Sequence, residues 1–189
     1  MMDVSRLLRI QARANRLANL RLHRAMATLS QVDLEAPRSS FFPSLLATLN
    51  HILMVDGYYI GALNGQADID RHWDNFVPAV SLAALAELQA RSDEHLIDFC
   101  DVQEDFTREV RLPRGEGRVQ RDAVAFVLQH LFSHQVHHRG QVHAMLSSTI
   151  AAPPQLDEFI MPSEAHLRSS EMAALGWDDT LVYGPRPYN

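Results

Sequence analysis

Cysteine is almost absent. Cys100 stands alone among 189 residues, so no disulfide can close within the chain and a reducing compartment is the easier setting. Long apolar runs are missing too. With no stretch of about 18 apolar residues, no membrane-spanning helix is expected. The opening MMDVSRLLRIQARANR lacks the apolar centre of a secretory signal. The cytoplasm is therefore the expected location. No basic block occurs: 17 Lys and Arg against 23 Asp and Glu leave a formal charge of −6. That excludes a general attraction to nucleic acid or to an anionic membrane. Repeats, low-complexity segments and a second domain are absent as well. The length suits a single domain over 1–189 with a sizeable core.

Several signatures of metal and nucleophile chemistry are also missing. There are no Glu–x–x–His pairs of the di-iron carboxylate kind, no His–Glu–x–x–His and no Cys–x–x–Cys–His haem attachment. Cys100 lies among Leu96, Ile97 and Phe99, which reads as an inert, partly buried thiol. Ser133 beside His134 is no triad, because adjacent helical residues diverge by about 100°.

Helical periodicity dominates what is present. A first helix is expected over roughly 3–29, followed by the polar linker SQVDLEAPRSS. A second is expected over 41–64, with Ser40 as N-cap and Pro43 in its first turn. A loop over 64–78 leads to a third helix, 81–101, capped by Ser81. In FTREVRLPRGEGRVQ, 106–120, alternation and a PRGEG turn predict a short hairpin or irregular insert. The fourth helix is placed at 121–149. An extended C-terminal segment, 150–189, has a helical patch near 163–174 and packs on the rest. The expected fold is all-α, a four-helix bundle with that insert before the fourth helix. The second helix is apolar on both sides. One stripe carries Ala47, His51, Met54, Val55, Tyr58 and Ala62, and the other Leu46, Leu49, Leu53 and Ile60. The second side must meet the tail or another subunit, and a homodimer is expected on that basis.

Histidine is the unusual component. Five of the 10 fall between 130 and 143. With His134 at zero on a helical wheel, His138 lies at about +40°, close to Val127 and Leu131, inside the apolar face. His130 and His137 fall at its rim, at about −40° and −60°, and His143 points away. Imidazoles at i and i+4 project from one face and can share one metal ion. His51, on the core-facing stripe of the second helix, is the obvious third donor. Three neutral imidazoles leave a coordination position open, as in catalytic rather than structural sites. Histidine-only sites accept zinc, nickel, copper and iron, and the single divalent ion expected here is zinc, nickel or iron. Tyr58, Gln141 and His137 are candidates for the outer shell or for orienting a substrate. Arg139 points away from the histidine face and reads as structural or as a subunit contact.

HLFSHQVHHRGQVHAML at 130–146 resembles the fourth-helix signature of the DinB family, in which His–x–x–His–His–Arg–Gly–Gln supplies two metal ligands. The resemblance places them at His134 and His138. LNHILMVDGYYIGAL at 49–63 is similar to the family's second helix, with His51 as third ligand. ANRLANLRL at 14–22 and PPQLDEFI at 153–160 resemble its opening helix and the segment after helix four. The resemblance implies a four-helix bundle, a homodimer in many members, a stress-response setting, and thiol-dependent transferases or isomerases that act on small molecules with a low-molecular-weight thiol. A metal-dependent hydrolase and a non-enzymatic metal- or ligand-binding stress-response protein remain the alternatives.

Overall fold

The computed structural model describes residues 4–157 and 161–184. Among these, α1 (Val4–Met26) leads through a short α2 (Gln31–Glu35) to α3 (Leu45–Leu63). A 3-10 turn (Ile69–Arg71) and the one-turn α4 (His72–Asn75) precede α5 (Leu82–Val102). The hairpin β1 (Glu109–Pro113) and β2 (Val119–Ala123) then feeds α6 (Val124–Leu146). The tail holds a 3-10 stretch (Pro162–Arg168), α7 (Ser169–Leu175) and α8 (Asp179–Tyr183). The four long helices form an all-α bundle. α1 packs along α5, α5 along α3 and α3 along α6, with α6 lying more lightly against α1.

Local chemistry explains the boundaries. Ser81 Oγ accepts from Ala84 N and starts α5 as expected. α3 begins later than the sequence suggested: Ser44, not Ser40, is its N-cap, accepting from Ala47 N at 3.2 Å. Arg38 N donates to Pro43 O at 2.7 Å and folds residues 38–43 into a closed loop ahead of it. The linker after α1 is not featureless, because Ser30 and Asp33 form a reciprocal capping box that starts α2. α6 begins at Val124 rather than 121, because the hairpin register pairs Glu109 with Ala123 and keeps 119–123 extended. The free N–H groups of Val124 and Ala125 then donate to Arg108 O and Phe106 O, doing the work of a side-chain cap. Gly57 and Gly61, one turn apart on α3, let the following loop lie close. A Cβ there would come within 2.8 Å of the His72 ring and 2.7 Å of Ile69.

The second side of α3 is buried within one chain, and its cluster includes Ala151 at the start of the tail. Leu46 and Leu49 share a buried cluster with Ala79 and Leu85, and Leu53 and Ile60 are buried as well. The side is closed within one chain by α5 and the loop before it, so the sequence basis for a homodimer is gone. The later part of the tail packs on α1: Met172, Val182 and Tyr183 cluster with Leu17 and Ala18. Arg21 pairs with Glu171 at 2.8 Å and reaches Gln155 O at 3.0 Å. Residues 158–160 of the PPQLDEFI segment and 185–189 of the tail lie outside the described residues.

Apolar residues fill the bundle in two halves with a polar layer between them. Ala12, Tyr59, Leu96 and Leu131 belong to the half nearer the hairpin, and Leu22, Ile52, Leu85 and Val142 to the other. On each helix the polar position falls between: Asn15 and Asn19, Asp56, Gln89 and Asp93, Arg139. Asn15 and Asn19 each donate to Asp93 Oδ1 at 2.9 Å. Gln89 Nε2 bridges Asp56 Oδ2 at 2.8 Å and Asp93 Oδ1 at 3.1 Å. Arg139, 5% exposed, donates to the Asn15 side chain and to Asn19 Oδ1 at 3.1 Å. Arg139 is thus a structural cation inside one chain and not a subunit contact. Two buried carboxylates bridged by one amide cannot both ionise cheaply, even with Arg16 3.9 Å from Asp93 and Arg139 near both. Burial, and then Asp93, push Asp56 up to about 7, and burial pushes Asp93 up to about 6.

Candidate metal centre

The i, i+4 spacing on α6 and the inward stripe of α3 bring three imidazoles together. His51 Nε2 and His134 Nε2 lie 3.0 Å apart. One nitrogen from each of His51, His134 and His138 falls within 4.8 Å of the others. The ring centroids of His138 are 4.6 Å from His51 and 4.4 Å from His134. His51 and His134 are half-buried and His138 is buried.

Burial is the first cause that lowers all three ionisations, His51 to about 4 and His134 to about 3. Charge repulsion from His138 comes second for both His51 and His134. At neutral pH the rings are therefore uncharged and each keeps a lone pair for an ion. His138 Nδ1 donates to Gln141 Oε1 at 2.8 Å, which fixes the tautomer that leaves Nε2 free. Gln141 Nε2 in turn contacts His137 Nε2 at 3.2 Å. His134 Nδ1 is buried without a partner, so the protein does not hold the second nitrogen of that ring.

The donor set fits a divalent ion. Two nitrogens bonded to one tetrahedral ion at about 2.0–2.1 Å sit about 3.4 Å apart, and the 3.0 Å between His51 and His134 differs from this by a small side-chain shift. Three histidines and no carboxylate or thiolate make up the group that could hold an ion among the described residues. Zinc, nickel and iron all suit imidazole nitrogen, so this donor set leaves the choice open.

The other residues singled out in the sequence fall in different places. His130 is exposed, with its ring 6.5 Å from that of His134 and 5.1 Å from Tyr59. His143 Nε2 contacts Pro154 O at 3.0 Å, on the side facing the tail. The Tyr58 hydroxyl donates to Pro113 O at 2.5 Å and its ring stacks on Trp73 at 4.6 Å. Its polar end belongs to the hairpin, and no role in orienting a substrate follows from it. Burial pushes the Cys100 thiol up to about 12, so it stays protonated and inert.

Sequence reasoning missed Phe42. Its ring stacks on His51, with centroids 4.2 Å apart and planes 30° apart, and lies 5.6 Å from His138. No periodicity marks a residue in a loop before a helix, so local pattern carried no signal for it. The polar layer was detectable in principle, as polar residues interrupting the inner stripes of all four helices.

The family model described as the DinB family matches residues 5–170. Protein DinB of Bacillus subtilis (strain 168) is 24% identical over 112 residues, 57% of this chain and 65% of that protein. The chain therefore aligns with just under two thirds of that relative's length. No helix among the described residues is long and apolar enough to cross a membrane.

Proposed function

Because the chain belongs to the DinB family, we propose that it binds one divalent metal ion through His51, His134 and His138 and acts on a small molecule at that centre. The carrying observation is the convergence of three neutral imidazoles, from two helices, within 4.8 Å. Three protein ligands leave room for a further ligand, the arrangement of a catalytic site. A divalent ion bound there supplies Lewis acidity that lowers the pKa of a coordinated thiol or water. Transfer or isomerisation with a low-molecular-weight thiol is the chemistry this supports best. The protein's own residues orient and shield. Gln141 holds His138 and contacts His137, and the burial of the rings keeps them unprotonated. The formal charge of −6 argues against a nucleic-acid substrate.

The test is metal per chain, by elemental analysis, in six His→Ala variants that retain helicity. His51→Ala, His134→Ala and His138→Ala should each lose most of the metal, while His130→Ala, His137→Ala and His143→Ala keep it. Gln141→Ala should weaken affinity by about 10–100-fold, as loss of an outer-shell partner does. Full metal in all six histidine variants would remove the site. A thiol-transfer screen with and without chelator then separates an enzyme from a metal-holding protein that turns nothing over.

A further inference from the structure

The loop before α3 places an unusual aromatic pair against the histidines. Phe42 covers the His51 ring at 4.2 Å and approaches His138 at 5.6 Å. Phe41 meets Phe42 edge-on at 4.9 Å, yet the residue is 82% exposed. An aromatic step therefore runs from the three-histidine cluster to solvent. The loop that carries it is fastened at several points. Arg38 Nη1 donates to Asp33 O at 2.7 Å and to Ala36 O at 2.9 Å. Arg38 Nε reaches Ser148 Oγ at the end of α6 at 3.3 Å, and Arg38 N closes on Pro43 O at 2.7 Å. The pair is thus held as a wall, with Phe41 left exposed by the described residues around it.

Resting on the metal reading above, we propose that Phe41 and Phe42 form the specificity-determining subsite of the centre. They receive a flat apolar or aromatic group carried on the metal-binding group of the small-molecule ligand. The chemistry follows from what each partner offers. An open coordination position binds a donor group without regard to what carries it. A neighbouring ring face discriminates, because stacking and the removal of apolar surface from water favour a flat carbon group over a methyl. Phe42 shields the His51 side of the centre, so a ligand's apolar flank displaces water there rather than protein.

The probes are acetohydroxamate and benzohydroxamate, which share a donor group and differ in its substituent. They are titrated into cobalt-loaded full-length protein and followed by the visible absorption of the bound cobalt. The wild-type protein should bind benzohydroxamate about tenfold more tightly than acetohydroxamate, the size of one aromatic contact. In Phe41→Ala and Phe42→Ala the ratio should shrink to within about threefold, with acetohydroxamate affinity unchanged. Phe41→Ala carries the test on its own if Phe42→Ala disturbs His51, because its ring is already exposed. Cobalt binding that depends on His134 with no benzohydroxamate preference, or with a preference that survives both substitutions, overturns the subsite and leaves the metal site standing. Failure to take up cobalt at all overturns both.

Discussion

Replacing Arg139 with Met tests whether the polar layer is held by a charge balance. The guanidinium is buried, bonded to Asn15 and Asn19, and lies within the electrostatic reach of Asp93 and Asp56. Methionine fills similar volume without the charge. Asp93 then keeps its bonds from Asn15, Asn19 and Gln89 and its ion pair with Arg16 at 3.9 Å, but loses the field of Arg139. Arg139 gives two charged hydrogen bonds, to Asn15 and Asn19, and a hydrogen bond to a charged group contributes about 1.5–3 kcal/mol. The surviving amide bonds and Arg16 place the expected value near 3. For a domain of this size each kcal/mol moves Tm by about 2–4 °C, so the melt should fall by roughly 10 °C. The assay is urea and thermal unfolding at pH 8 with chelator present, so that metal linkage does not enter. Adding Asp93→Asn to Arg139→Met removes the stranded carboxylate and should recover a large part of the loss, leaving a coupling of about 1.5–3 kcal/mol in the double-mutant cycle. A loss below about 1 kcal/mol for Arg139→Met, or strict additivity of the two substitutions, would refute the charge-balance account.

The remaining predictions concern a second carboxyl of that layer and the hairpin. Burial and Asp93 hold Asp56 at about 7, above its unfolded value, so the folded state binds more protons and stability falls as pH rises through 7. Between pH 6.5 and 8.5 this amounts to roughly 1 kcal/mol. The window lies above the range, from about 4 to 6.5, in which the buried His23 acts in the opposite sense. Asp56→Asn should flatten this slope in urea midpoints; an unchanged slope would mean that the carboxyl does not carry it. Tyr58→Phe deletes the bond to Pro113 O and should lower stability by about 1 kcal/mol, with metal content unchanged. Loss of metal in that variant would place the hydroxyl at the centre after all.

The properties legible in the sequence were those with a local cause. Helical period gave the four long helices within a few residues, and the PRGEG turn gave the hairpin. The four-residue spacing of His134 and His138 put them on one face because α-helix geometry does so in any context. The inward stripe of α3 pointed His51 the same way. Boundaries failed where a distant group took over a local role. Ser44 displaced Ser40 because the Arg38–Pro43 bond turns the chain first, and α6 waits until Val124 because carbonyls of the turn ahead of the hairpin cap it. Only the tertiary structure decided what lies across from each side chain. It closed the second side of α3 with α5 instead of a partner subunit, gave the Tyr58 hydroxyl to the hairpin, and set Phe42 on His51. It also made one layer of Asn15, Asn19, Asp56, Gln89, Asp93 and Arg139. A residue's own helix fixes the direction in which its side chain leaves the axis. What it meets there depends on the packing of three other helices and the loops between them, and no local period encodes that packing.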